Sequence, residues 1–344
     1  MAHTPGLGPT PRRLWVRVRL QSYVANQTYG FWRFVIATPE IGASALRKGQ
    51  VMNLRMLSFL LLLPWAGAQA GQPFFDVHTH YKWDQAEVTS PRQALDYLDQ
   101  AGVTRAVVIG TPASLALELK KLAPERIVVL YGPYVTGGEK LTWQYRKGLV
   151  DEVRAGLRSG QYQGIGELHL IGGMATRWNR GPVFRELLAL AVEHDVPLML
   201  HTEYASIKPT VEMCQANPKN RILLAHAGAV LPPSKVAKIL DACPNVQMDL
   251  AARDPWRYIS HPISDESGSL LPEWRDLILH YADRFMVGSD TVWPVDKGSS
   301  WDEADSGWQE LHRFVAFHRR WLADLPESTR QAIAWENAER FFGK

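Results

Sequence analysis

From residue 74 to residue 342, eight short runs rich in Val, Ile, Leu and Phe alternate with longer amphipathic stretches. The short runs are 74–80, 103–110, 126–134, 164–170, 196–201, 221–226, 245–250 and 284–290. Continuous apolar runs of this length suit strands buried on both faces of a parallel sheet. The stretches between them (91–101, 111–122, 141–159, 181–194, 207–216, 233–242 and 272–282, then 308–322 and 326–342) carry helical periodicity. Ser90 before Pro91 supplies an N-cap and a first-turn proline. Eight such units in about 270 residues fit a (β/α)8 barrel. An open doubly wound sheet has the same alternation, so periodicity admits both.

Five of the runs end in ionisable residues. The first reads Asp76-Val77-His78-Thr79-His80, which puts His78 and His80 on one strand face. The fourth carries Glu167 and His169, the fifth ends at His201, the sixth at His226 and the eighth at Asp290. One such residue alone is an ordinary strand cap or core histidine. The whole set is different, because ionisable groups are kept out of a core unless they are paired or bind metal. His and carboxylate donors suit Zn2+, with Mn2+ or Fe2+ as alternatives, better than Ca2+ or Mg2+. Only two cysteines, Cys214 and Cys243, are present, which excludes a Cys-based zinc finger. They read either as buried thiols or, in an exported chain, as a disulfide.

The net charge of +3 is unevenly placed. Residues 1–55 hold eight basic residues and the single acid Glu40, leaving 30 basic and 34 acidic residues in 71–344. The body therefore carries −4, with no basic run for a polyanion such as nucleic acid. Met52 to Arg55 gives a positive start, residues 57–63 an apolar run, and Ala68-Gln69-Ala70 a small-residue end. Together they match a secretory signal peptide over 52–70, too short to anchor the chain across a bilayer. The expected organisation is an upstream extension over 1–51, the signal over 52–70, and one barrel over 71–344 in a periplasmic or secreted protein.

The ordered motifs resemble the amidohydrolase superfamily of metal-dependent barrel hydrolases, in particular its broad amidohydrolase-related branch. They are Asp76-x-His78-x-His80, Glu167, His201, His226-Ala227-Gly228 and Asp290, with Pro244-Asn245-Val246 leading to Asp249 and a Glu336-Asn337-Ala338-Glu339-Arg340-Phe341-Phe342 ending. The resemblance implies a closed TIM barrel. It also implies His78, His80 and His201 as metal ligands and Asp290 as ligand and proton shuttle. Glu167 would be a carboxylate between two metals. His226 would ligate the second metal or, at a one-metal centre, act on the substrate as acid or base.

The expected reaction is hydrolysis of an amide, ester or lactone bond in a small molecule by metal-activated water. Competing readings are a decarboxylase of the same branch, a TatD-like phosphoesterase and a metal-binding protein without catalysis. Candidate substrate contacts are His169, Arg177, Glu203, Tyr204, Arg253 and Trp293, with Trp83, Trp178 and Trp256 as further aromatic wall. His194, His261, His280, His312 and His318 read as surface residues.

Overall fold

The computed structural model describes residues 72–170, 181–257, 260–295 and 303–343. The extension and signal expected before residue 71, and Arg177 and Trp178, lie outside the described residues. Among the described residues no helix is long and apolar enough to cross a membrane.

All eight expected strands form: β1 Phe75–Lys82, β2 Arg105–Thr111, β3 Ile127–Leu130, β4 Ile165–Leu170, β5 Leu198–Thr202, β6 Ile222–Leu224, β7 Val246–Asp249 and β8 Phe285–Met286. Every pairing between neighbours is parallel, in the order β1-β2-β3 and β4-β5-β6-β7-β8. Two seams join these groups. Tyr131 bridges to Ile165 between β3 and β4. The Val77 amide donates to the Val287 carbonyl at 3.0 Å between β1 and β8. The sheet is therefore closed, which decides for the barrel over the open sheet.

Helices follow the strands where the sequence places them. Pro91–Ala101 begins at Ser90, whose hydroxyl accepts the Gln93 amide, and stops at Gly102 with φ 68°. That left-handed end costs glycine little. Pro182–Glu193, Lys208–Ala216, Pro233–Ala242 and Pro272–His280 also begin with proline in the first turn. The stretch 141–159 divides into short 3-10 turns and the helix Leu149–Arg158.

Two apolar layers hold the barrel. Outward-facing strand residues such as Val108, Val129, Leu198 and Ile222 pack against the helices. The barrel interior holds Phe75, Val77, Val107, Ile109, Val128, Leu130, Met199, Leu223 and Met286. Its amino-terminal end is stoppered by Phe341 and Phe342 of the helix Asn337–Phe342, with the Phe342 ring 6.0 Å from that of Phe75. Asn337 fixes this stopper by donating to the carbonyls of Ala282 (2.8 Å) and Phe285 (2.7 Å). Cys214 and Cys243 form a disulfide with a Cα–Cα distance of 5.8 Å. His318, expected at the surface, is buried among Phe74, Phe317 and Trp321. It sits on the inner stripe of the helix Leu311–Leu322, where its Nδ1 accepts the Trp321 indole N–H at 3.2 Å.

Candidate metal centre

The ionisable residues gather inside the carboxyl end of the barrel, and two strands depart from regular pleating to deliver them. On β5, Met199 and His201 face inward while Leu198 and Leu200 face the helices, as a period of two requires. On β1, Phe75 and Val77 are interior, yet so are His78 and His80. The change of parity coincides with a shift in the β1–β2 register between Asp76 and Thr79. β4 makes the same adjustment: the register shifts between Ile165 and Leu168, turning Glu167 and His169 inward. Such irregularities re-aim side chains at the rims of barrels. Gly288 admits the first of them, since a Cβ there would stand 2.6 Å from the His78 Cβ.

Two neighbouring triads result, His78/His80/Asp290 and Glu167/His201/His226, all buried or nearly so. In the first, His78 Nε2 and His80 Nε2 are 3.1 Å apart, and Asp290 Oδ1 lies 3.4 Å from His80 and 3.8 Å from His78. Tetrahedral zinc–nitrogen bonds of about 2.0–2.1 Å set neighbouring ligand atoms about 3.3 Å apart. The three observed spacings bracket that value, so this donor set fits a divalent metal. In the second triad, Glu167 Oε1 is 2.9 Å from His201 Nδ1 and 3.6 Å from His226 Nε2. Its other oxygen, Oε2, reaches toward the first triad, 3.5 Å from His80 Nε2. Glu167 thus stands between the two.

Neighbours fix which ring nitrogen faces the centre. Asp249 Oδ2 takes the Nδ1–H of His78 at 3.2 Å, and the Ala251 carbonyl takes that of His226 at 3.0 Å, leaving each Nε2 turned inward. Asp249 Oδ1 also accepts the amides of His226 and Ala251, so one carboxylate orients two candidate ligands. Asp249 closes an apolar run just as the other rim residues do, yet the sequence assigns it no role. Asp76 Oδ1 accepts the amides of His78 (3.1 Å) and Ser289 (2.9 Å), tying β1 to the end of β8. The Tyr134 hydroxyl accepts the His169 amide (2.7 Å) and also pairs with His169 Nδ1 (2.9 Å), so the ring presents Nε2 to the centre.

The charges are strongly coupled. Burial pushes the His78 ring down in proton affinity, but Asp249 and Glu167 outweigh it and hold it well above the usual histidine range. Burial acts on His201 the same way, and Glu167 and Glu203 carry it up to about 9. His80 and His169 go the other way, because burial dominates. Burial would raise Glu167 and Asp290. Instead the neighbouring groups, His169, His78 and His201 for Glu167 and His78 and Arg257 for Asp290, hold both well below the usual carboxylate range. The backbone is strained at the same rim, with His226 at φ 54° and Asp290 at φ 46°. Left-handed non-glycine residues cost of order 1–3 kcal/mol each and cluster at functional sites.

The substrate candidates divide. His169 and Trp293 line a cleft that opens from the centre, together with His80 and Trp83. Glu203 pairs with His201 Nε2 at 3.0 Å, and Tyr204 is buried. Arg253 is not a substrate contact. It is fully buried, and its five N–H groups donate to the carbonyls of His226, Ala227, Leu231, Ser260 and His261. Its work is to brace the loops after β6 and β7, and no donor is left for an anion. Trp256 packs edge-on against Phe317 and does not line the cleft. Arg257, which no sequence motif marks, pairs with Asp290 Oδ2 at 3.2 Å and with Asp254 at 3.3 Å.

The fold is shared with known proteins. The TatD homologue YjjV of Escherichia coli K12 superposes with a TM-score of 0.54 at 15% identity, over 79% of this chain and 98% of that one. A zinc-bound amidohydrolase from Burkholderia multivorans aligns with a TM-score of 0.49 at 17% identity, over 78% and 98%. No curated protein matches the sequence. The sequence profile of the amidohydrolase family matches residues 141–344, more than half of the chain, covering Glu167, His201, His226 and Asp290. The chain therefore belongs to the amidohydrolase family and is an enzyme of a metal-dependent hydrolase superfamily.

Proposed function

We propose that the protein binds two divalent metal ions, zinc first, and hydrolyses an amide, ester or lactone bond of a small molecule. The observation that carries this is the pair of adjacent buried triads with Glu167 between them. His78, His80 and Asp290 would hold one ion, His201 and His226 the other, and Glu167 would be shared. When bound, such a metal lowers the pKa of a bound water from ~15.7 toward ~7.

The chain's own residues complete the reaction. Arg257 anchors Asp290 Oδ2, leaving Oδ1 free to face the centre. In this reading the Asp290 carboxylate takes the proton of the attacking water and returns it to the leaving group. On the same reading His169 turns Nε2 toward the centre and hydrogen-bonds the oxygen that gains charge. Tyr134 and the Trp143 indole, which donates to the His169 carbonyl at 3.0 Å, keep that ring in place.

The test is metal analysis of the purified chain coupled to panels of neutral esters, amides, lactones and phosphoesters. Two metal ions per chain and turnover of carbonyl substrates are expected. One ion per chain overturns the two-metal reading, and activity confined to phosphoesters overturns the reaction class.

Export is the companion proposal, with residues 52–70 as its signal. The Cys214–Cys243 disulfide supports it, since such bonds persist in oxidising compartments. Sequencing the amino terminus of protein from cell fractions tests it: a start near Gly71 outside the cytoplasm is expected, and a cytoplasmic chain retaining 52–70 overturns it.

A further inference from the structure

The chain that leaves β8 and carries Asp290 runs beside the end of β1, and the two are tied there at His80. The His80 amide donates to the Thr291 hydroxyl at 3.3 Å, and the His80 carbonyl accepts the Trp308 indole N–H at 2.7 Å. Two non-glycine residues of this stretch have left-handed backbone, Asp290 at φ 46° and Trp293 at φ 64°. Such residues persist only where the surroundings hold them.

The hold comes from a buried knot of three side chains, Lys82, Gln85 and Asp305. The Asp305 carboxylate is fully buried and receives four donors. Its Oδ1 accepts the amides of Trp293 (2.9 Å) and Gly307 (2.8 Å), and its Oδ2 accepts Gln85 Nε2 (3.0 Å) and the Lys82 ammonium (2.9 Å). Gln85 also donates to the Thr291 carbonyl and accepts the Lys82 backbone amide at 2.9 Å, so both ends of its side-chain amide are engaged. Lys82 pairs with Asp84 at 3.2 Å as well. Its ammonium stands 4.8 Å from the centre of the Trp293 ring and 5.9 Å from that of Trp83. The grip thus falls on Thr291 and Trp293, directly after Asp290, while none of the three side chains belongs to either triad.

We infer that Lys82, Gln85 and Asp305 are positioning residues. They fix the backbone of 290–293 against the end of β1 and so set where Asp290 stands relative to His80. Their service to a metal ion rests on the two-metal reading above, but their hold on 290–293 can be read without metal. A merely structural ion pair would behave differently, because a buried pair replaced by packed apolar groups is often neutral. Such a replacement restores charge balance at Lys82 without restoring an acceptor for the Trp293 amide.

The test compares the full chain with Asp305→Leu, the double variant Lys82→Met with Asp305→Leu, and Gln85→Leu, which disturbs no charge. The first readout is backbone hydrogen exchange of the metal-free proteins. Exchange at 290–293 should quicken roughly tenfold in all three variants, the scale of one lost hydrogen bond, while β4 to β6 stay as in the parent. The second readout is zinc affinity by chelator competition, with the ion of the first triad identified by its loss in His80→Ala. That ion should be held about 10–100-fold more weakly in all three variants, and the ion at His201 and His226 as in the parent. Unchanged exchange at 290–293 in Asp305→Leu and Gln85→Leu overturns the inference, as does equal loosening of β4 to β6. Parental zinc affinity in the double variant also overturns it, since the pair would then serve charge balance alone. If the parent chain binds no zinc through His80, the two-metal reading falls and the exchange at 290–293 alone decides the inference.

Discussion

The two ends of the barrel interior are built from the same strands under opposite rules. At the amino-terminal end, Phe75, Val107, Val128, Leu223 and the stopper Phe341–Phe342 bury hydrocarbon on hydrocarbon with regular pleating. At the carboxyl end, His78, His80, Glu167, His201, His226 and Asp290 bury charge on charge. That end also carries the register shifts of β1 and β4 and the left-handed backbone of His226 and Asp290. Burial at the first end stabilises at roughly 25 cal/mol per Å2 of apolar surface. Burial at the second is costly for each unmatched charge. The amino-terminal end holds the fold, and the carboxyl end is held by it.

Substitutions should separate the two ends. Asp290→Asn should lower turnover by roughly 10^3-fold or more while the melting temperature stays near that of the parent; near-normal kcat would remove Asp290 from the proton path. Phe75→Ala, at a fully buried site, should cost about 3–5 kcal/mol in denaturant unfolding yet leave metal content and kcat of the folded fraction intact. A parallel loss of metal would show that the ends are not separable. Asp249→Asn, which frees the His78 ring, should weaken metal affinity about 10–100-fold in chelator competition with little change in fold. An unchanged affinity would leave Asp249 with the backbone alone.

A pH dependence follows as well. In the metal-free cluster His201 is carried up to about 9, so at neutral pH the ring holds a proton that a metal must displace. Affinity should therefore fall as pH drops below about 9, by up to about tenfold per unit for that one proton. Without metal the sign reverses: the raised His201 stabilises the fold fully below its ordinary 6.5, and that support fades as pH rises through about 9. Chelator competition and urea melts across pH 6–9 should move in opposite directions.

Much of this was legible in the sequence, for identifiable reasons. Apolar runs located every strand because strands buried on both faces have no polar alternation to obscure them. The helices Pro91–Ala101 and Pro233–Ala242 begin where their first-turn prolines put them. The six candidate ligands stood out because each interrupts an apolar run. What stayed hidden depends on partners distant in the chain. Arg253 reads as a loop cation, and only the convergence of five carbonyls makes it a brace. His318 reads as exposed until the helix Leu311–Leu322 turns it toward Phe74. Nor does any local pattern announce that β1 changes parity before His78, or that Arg257 reaches Asp290.

The two triads also differ in what they demand of the chain. Glu167, His201 and His226 come from three consecutive, mutually paired strands, β4 to β6. His78, His80 and Asp290 come from the first strand and from just beyond the last, and meet only across the seam where the Asp290 amide donates to the His78 carbonyl. An ion held by Glu167, His201 and His226 would need only a contiguous stretch to be folded. An ion held by His78, His80 and Asp290 would work as a clasp, because it could bind tightly only when the cylinder has shut and would have to be let go before it can part.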